Sequence, residues 1–245
     1  MRKLLIVCEL FFSISLFAQD AQSLFSKATT AYEKNDFPTA ITSYKTLLKD
    51  YPYNVDIHYN LANAYQKQQD TVWAVYHYEQ VLKVQPDFKA ARVNLQFLRP
   101  IESPDRHFQM ETSEVFYSLF SMFSIGTWSM IALLFSVLTL VGFAVKLYVA
   151  NNTKIGNYAF WIALPLALFS YGIVKFQQNY LTTPHYVLTL KSASLKNEQR
   201  EFSREIMTLP QATKCRLLSK ENNWYQVQLV DETVGWVEKN LVIGL

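Results

Sequence analysis

The side chains in this chain that could make or break bonds are few. Its 245 residues include two cysteines, Cys8 and Cys215, and four histidines, His58, His77, His107 and His185. Nucleophilic catalysis needs a thiolate or hydroxyl held beside a base, and a metal site needs ligands at close helical or hairpin spacing. The histidines show no such spacing, His185 has no accompanying acid signature, and His58 and His77 read as ordinary helix residues. Cys215 begins one of the short strands expected near the C-terminus. Leu5-Ile6-Val7-Cys8 approaches a lipid-attachment motif, but Val7 stands where a small residue is required. No catalytic, cofactor-binding or metal-binding residue is therefore expected. The formal net charge is +3, and the 23 Lys and Arg residues are scattered. That leaves no stripe able to neutralise a phosphate backbone, which excludes nucleic acid as the expected partner.

What remains is binding, and the elements that would position a binding surface come from the periodicity. Residues 1–18 pair a basic start, Met1-Arg2-Lys3, with an apolar run from Leu4 to Phe17 and a small residue at Ala18. These are the parts of a signal peptide, either cleaved or kept as an anchor, since Glu9 and Leu16 depart from the ideal. If Cys8 is removed with it, no intramolecular disulfide is possible.

Residues 21–98 repeat at a period of 34. Ala28 recurs as Ala62, Asp36 as Asp70, Ala40 as Ala74, Tyr44 as Tyr78, Leu48 as Leu82 and Pro52 as Pro86. The pattern resembles the tetratricopeptide repeat, a pair of antiparallel helices that stacks on the next pair. The glycine usual before the turn is Asn35 in one unit and Gln69 in the other. Two units cannot bury a continuous core alone, so Lys89 to Leu98, with Val93, Leu95 and Phe97, is expected to supply a closing helix. In the family the first helices line a concave groove that holds a peptide or a partner's helix. The resemblance assigns that partner-binding groove to Phe25, Thr29, Tyr59, Asn63 and Gln66.

Residues 99–112 read as a linker, with Pro100 and Pro104 and no periodicity. From Val115 to Val145 no residue is charged. One unbroken helix there would rise on the order of 45 Å, against a hydrocarbon core of about 30 Å. The run is expected to divide into an interfacial amphipathic helix (113–124) and a transmembrane helix (125–148); a single tilted span is the alternative. A second span is expected over 155–176, with Pro165 inside it. Lys146 and Lys154 flank the intervening turn and place it in the cytoplasm by the positive-inside tendency, so both ends face the periplasm.

Residues 183–245 change to short alternating strands. Trp224-Tyr225-Gln226-Val227, Gly235-Trp236-Val237 and Asn240-Leu241-Val242-Ile243 resemble the ending of the bacterial SH3-like domain, with Trp224, Tyr225, Gly235 and Trp236 as its structural motif. Lys191 to Glu205 is expected to be a charged loop.

The expected fold is a multi-domain membrane protein: all-α tetratricopeptide-like repeats, a two-helix transmembrane hairpin and a small all-β SH3-like barrel. That order of modules resembles the tetratricopeptide-repeat component of the Bacteroides aerotolerance (Bat) system. The resemblance implies a non-enzymatic inner-membrane scaffold or adaptor in aerotolerance or envelope stress. Its implied partners are von Willebrand factor A-type membrane proteins and, indirectly, a MoxR-type ATPase. SH3-like domains of this type also accompany wall hydrolases, so peptidoglycan recognition is the second expectation.

Overall fold

A computed structural model describes residues 20–99, 112–148 and 153–245. The signal segment, Cys8, His107 and most of the linker lie outside the described residues. The chain divides into two compact units. One combines the helices before the linker with His185–Leu245, and the other is built from the helices between them.

The first unit begins with five helices: α1 (20–33), α2 (Phe37–Asp50), α3 (Val55–Lys67), α4 (Thr71–Val84) and α5 (Lys89–Leu98). Their starts are set by polar caps. Asp36 accepts from the Thr39 N–H at the head of α2, and Asp70 accepts from the Trp73 N–H at the head of α4. Asn54 does the same for α3 through the Ile57 N–H. Inside each repeat the turn needs a left-handed residue, with φ of 60° at Asn35 and 63° at Gln69. That is the physical reason glycine suits this position, and Asn tolerates it better than Gln does. Ala28, Ala40, Ala62 and Ala74 have no solvent exposure, and their small side chains let the paired helices approach. Tyr44 and Tyr78 fill the core between them, joined by Leu47 and Val81. Leu48 and Leu82 pack at its edge and are only partly buried.

The closing helix differs from expectation. Of the three apolar residues assigned to it, only Leu95 is buried; Val93 is 60% exposed and Phe97 78% exposed. The array is covered elsewhere, on α4, by the β domain that follows the second unit.

That domain is one seven-stranded antiparallel sheet curled into a small barrel-like fold. Its strands are β1 (Tyr186–Thr189), β2 (Ala193–Lys196), β3 (Glu205–Leu209), β4 (Lys214–Glu221), β5 (Trp224–Gln228), β6 (Val234–Glu238) and β7 (Val242–Gly244), in the order β3-β2-β6-β5-β4-β1-β7. Its own core holds Val187, Leu195, Leu209, Cys215, Val227 and Val237. The segment expected as a charged loop contains β2, whose Ala193 and Leu195 point inward. Two apolar residues in alternation are too short a pattern to stand out from a charged surrounding. Gly235 lies where β6 crosses β2; a Cβ there would stand 2.6 Å from Leu195 Cγ and 2.9 Å from the Lys196 carbonyl oxygen.

The second unit contains α6 (Thr112–Phe120), α7 (Ile125–Tyr148) and α8 (Thr153–Thr182). The uncharged run is divided: α6 ends at Phe120, and Ser124 Oγ accepts the Thr127 N–H at the head of α7. The break is held by α8. Gln177, 2% exposed, donates through Nε2 to the carbonyl oxygens of Phe120 (2.9 Å) and Phe123 (3.3 Å). Tyr117 and Tyr180 stack with centroids 4.1 Å apart. Helix α8 runs past the expected end at 176 to Thr182, with Pro165 inside it. α7 and α8 are each long and apolar enough to cross a membrane, the most apolar 18-residue stretch reaching a mean hydropathy of 2.3 within Ile125–Tyr148 and 1.6 within Gly156–Thr182.

Candidate functional site

The first helices of the array, α1, α3 and α5, carry the candidate groove. The period brings equivalent residues onto one face in two rows: Phe25, Tyr59 and Val93 in one, Thr29, Asn63 and Phe97 in the other. All five groove residues assigned from the sequence are partly exposed, and none is taken fully into the core.

Each is fixed by a tyrosine of the neighbouring second helix. In the first repeat Tyr44 OH lies 3.1 Å from Thr29 Oγ1, and its ring meets Phe25 edge-on at 5.8 Å. In the second, Tyr78 OH takes the same position beneath Asn63 and Gln66, at 2.5 and 2.7 Å, and its ring lies 5.9 Å from Tyr59. Asn94 of α5 donates to the same hydroxyl at 2.8 Å. One phenol has a single proton, so it donates to only one of the two side-chain amides; the other must turn its N–H₂ toward the phenol oxygen. Burial pushes both phenols up from the usual tyrosine range, so they remain neutral hydroxyls that orient the amides. The groove thus presents pre-positioned amide groups between aromatic rings.

At one end the face deepens into a cleft of about 340 Å³ lined by Phe25, Leu47, Tyr51, Asn54, Asp56 and Ile57, among others. Leu47 and Ile57 are buried, whereas Tyr51, Asn54 and Asp56 are exposed at its mouth. Residues 30–69 match the family model described as TPR repeat, and residues 55–88 match the one described as Tetratricopeptide repeat. This segment is a tetratricopeptide repeat array. No curated protein matches the chain. The array's third first-helix leaves Val93 and Phe97, expected to close the core, exposed and in register with the two rows. The signal that finds them is the same period carried one step further, from Tyr59 to 93 and from Asn63 to 97.

The four residues of the β-domain motif separate onto two faces. Gly235 and Val237 on β6 pair with Val227 and Tyr225 on β5 over the core. Trp236 pairs with Gln226, and Lys196 of β2 pairs with Trp236 on its other side. Lys196 Nζ also lies 5.3 Å from the ring of Trp224. Lys196, Trp224, Gln226 and Trp236 therefore form a half-buried aromatic and polar platform on the outside of the sheet.

His58 and His77, read from sequence as ordinary helix residues, are a buried pair. Their Nδ1 atoms are 2.9 Å apart, and His58 Nε2 lies 2.9 Å from the Pro52 carbonyl oxygen. Among the described residues no three His, Cys, Asp or Glu side chains converge as metal ligands.

Proposed function

We propose that the protein is a non-enzymatic, membrane-tethered scaffold whose repeat groove holds a segment of a partner protein. The observation that carries this reading is the open groove itself: two rows of side chains running across three first-helices, with a cleft at one end. Tetratricopeptide repeats support a protein-binding role, and two membrane-length helices support the tether.

The finer reading follows the order of modules, which resembles BatE of the Bat system. In it the hairpin lies in the inner membrane, α6 rests in the interface, and the array and β domain are periplasmic. The partners are von Willebrand factor A-type membrane proteins, through which a MoxR-type ATPase is reached. Lys146 and Lys154 beside the inter-helix turn favour this orientation. The contact between the array and the β domain favours a common side for both, because an even number of spans returns the chain to the side it left.

A photo-reactive residue placed at Thr29, Gln66 or Phe97 of the full-length protein in native membranes tests the groove, with Thr42 and Thr46 on α2 as controls. Groove positions should give discrete adducts of one protein and the controls none; the same pattern from both sets would sink the reading. The platform of Trp224 and Trp236 favours a second reading, recognition of peptidoglycan, since indole faces stack on sugar rings and Lys196 and Gln226 supply polar contacts. Co-sedimentation of the full-length protein with purified peptidoglycan, lost in Trp236→Ala, would support that reading.

A further inference from the structure

The two repeats differ on the outer face of their second helices. On α2 this face is Pro38, Thr42, Lys45, Thr46 and Lys49, all exposed; one period later on α4 it is Val72, Tyr76, Glu79, Gln80 and Lys83, none of them exposed. The most pronounced change is from exposed Lys45 to Glu79, which is 8% exposed. A carboxylate is left buried in a core only when paired. Glu79 Oε1 accepts from Arg99 Nη1 at 2.9 Å, and Oε2 accepts from Lys214 Nζ at 2.7 Å. Arg99 is the C-cap of α5, its backbone N–H bonded to the Leu95 carbonyl. Lys214 opens β4, with its ammonium 4.4 Å from the ring centroid of Tyr186 on β1. Around this junction Leu188, Ala212 and Leu245 of the β domain enter the same core cluster as the repeats, with Tyr186, Leu190 and Ile243 packed against it.

Glu79 thus joins three stretches: the second repeat, the first residue of the linker, and the domain that follows α8. We infer that the β domain is clamped to the outer face of α4 through Glu79. The groove and the platform then form a single binding body with fixed spacing, instead of two modules on independent tethers. The inference does not depend on which ligand the groove takes. It gives the departure from the 34-residue period at Glu79 a purpose, since an exposed lysine at that position would suffice for a repeat that nothing covers.

Reversing the charge at Lys214 tests it, because a second carboxylate would then face Glu79 with Arg99 as the cation between them, whereas a conservative change keeps the contact. The measurement is amide hydrogen exchange on the full-length protein in detergent, comparing wild type, Lys214→Arg and Lys214→Glu. In Lys214→Glu, exchange should rise on the order of tenfold or more in α4, α5 and β1 together, with β5 and β6 unchanged and Lys214→Arg close to wild type. Unchanged protection of α4 and α5 in Lys214→Glu would overturn the inference. So would exposure of β5 and β6, which would make Lys214 a support of the β domain's own fold.

Discussion

His58 Nε2 faces a carbonyl oxygen and must carry a proton, so its Nδ1 is the acceptor and His77 Nδ1 donates across the 2.9 Å gap. Two imidazolium rings would meet donor to donor, and burial disfavours even the first added proton. Tyr65 of α3 stacks on His77, Trp73 and Tyr76 of α4 crowd it, and Lys45 of α2 is the charged group that bears on it. Burial lowers the pKa of His58, and burial with the neighbouring His58 and Lys45 lowers that of His77 well below the ordinary value. The unfolded chain binds protons near pH 6.5 and the folded pair resists them. The stability contributed is therefore complete above about pH 6.5 and is lost as pH falls through the folded values. Thermal unfolding of the full-length protein should show a falling midpoint between pH 7 and pH 5, with a slope of up to ~1.4 kcal/mol per pH unit for each histidine. His77→Phe should flatten that slope, and an unaltered slope would refute the assignment. Neither this pair nor the Glu79 junction was legible in the sequence, because both depend on which faces the helices bury. The cap residues Asp36 and Asp70 were legible, since they act on backbone three positions away.

Among the elements, helices α7 and α8 are joined by close backbone contact. A Cβ at Gly142 would lie 2.8 Å from the Phe160 backbone nitrogen, and one at Gly156 2.8 Å from that of Lys146. Backbone cannot swing aside as a flexible side chain can, so Gly142→Leu should force the helices apart at a cost of roughly 1–3 kcal/mol. Gly172→Leu, which meets nothing within 4 Å, should be neutral. Comparing detergent-solubilised thermostability of the two variants checks this, and equal effects would remove the argument. The repeat helices were readable because a 34-residue period states each position twice, and α7 because an uncharged run has few other uses. The helix break at Ser121–Ser124 carries a capping serine that the sequence shows only after the break is suspected. β2 and the open faces of Val93 and Phe97 were hidden for opposite reasons: β2 is too short to declare a pattern, and α5 declares an apolar pattern that the fold leaves uncovered.

At the scale of the whole molecule, the proposal that α7 and α8 both cross a membrane, joined to a body assembled from both flanking segments, sets a strict topology. Cysteines introduced singly at Ser23 and Asn222 should react together with a membrane-impermeant reagent in intact spheroplasts, whereas one at Lys154 should not. Labelling of Lys154→Cys alone would reverse the orientation, and unequal labelling of the first two would break the body apart. The same architecture has a consequence in time. Glu79 leaves the ribosome 135 residues ahead of Lys214. At bacterial rates of about 5–20 residues per second that is on the order of ten seconds. During that interval the outer face of α4 waits uncovered, its carboxylate paired with Arg99 alone. A nascent chain in that condition is the form most exposed to proteases and most in need of a chaperone.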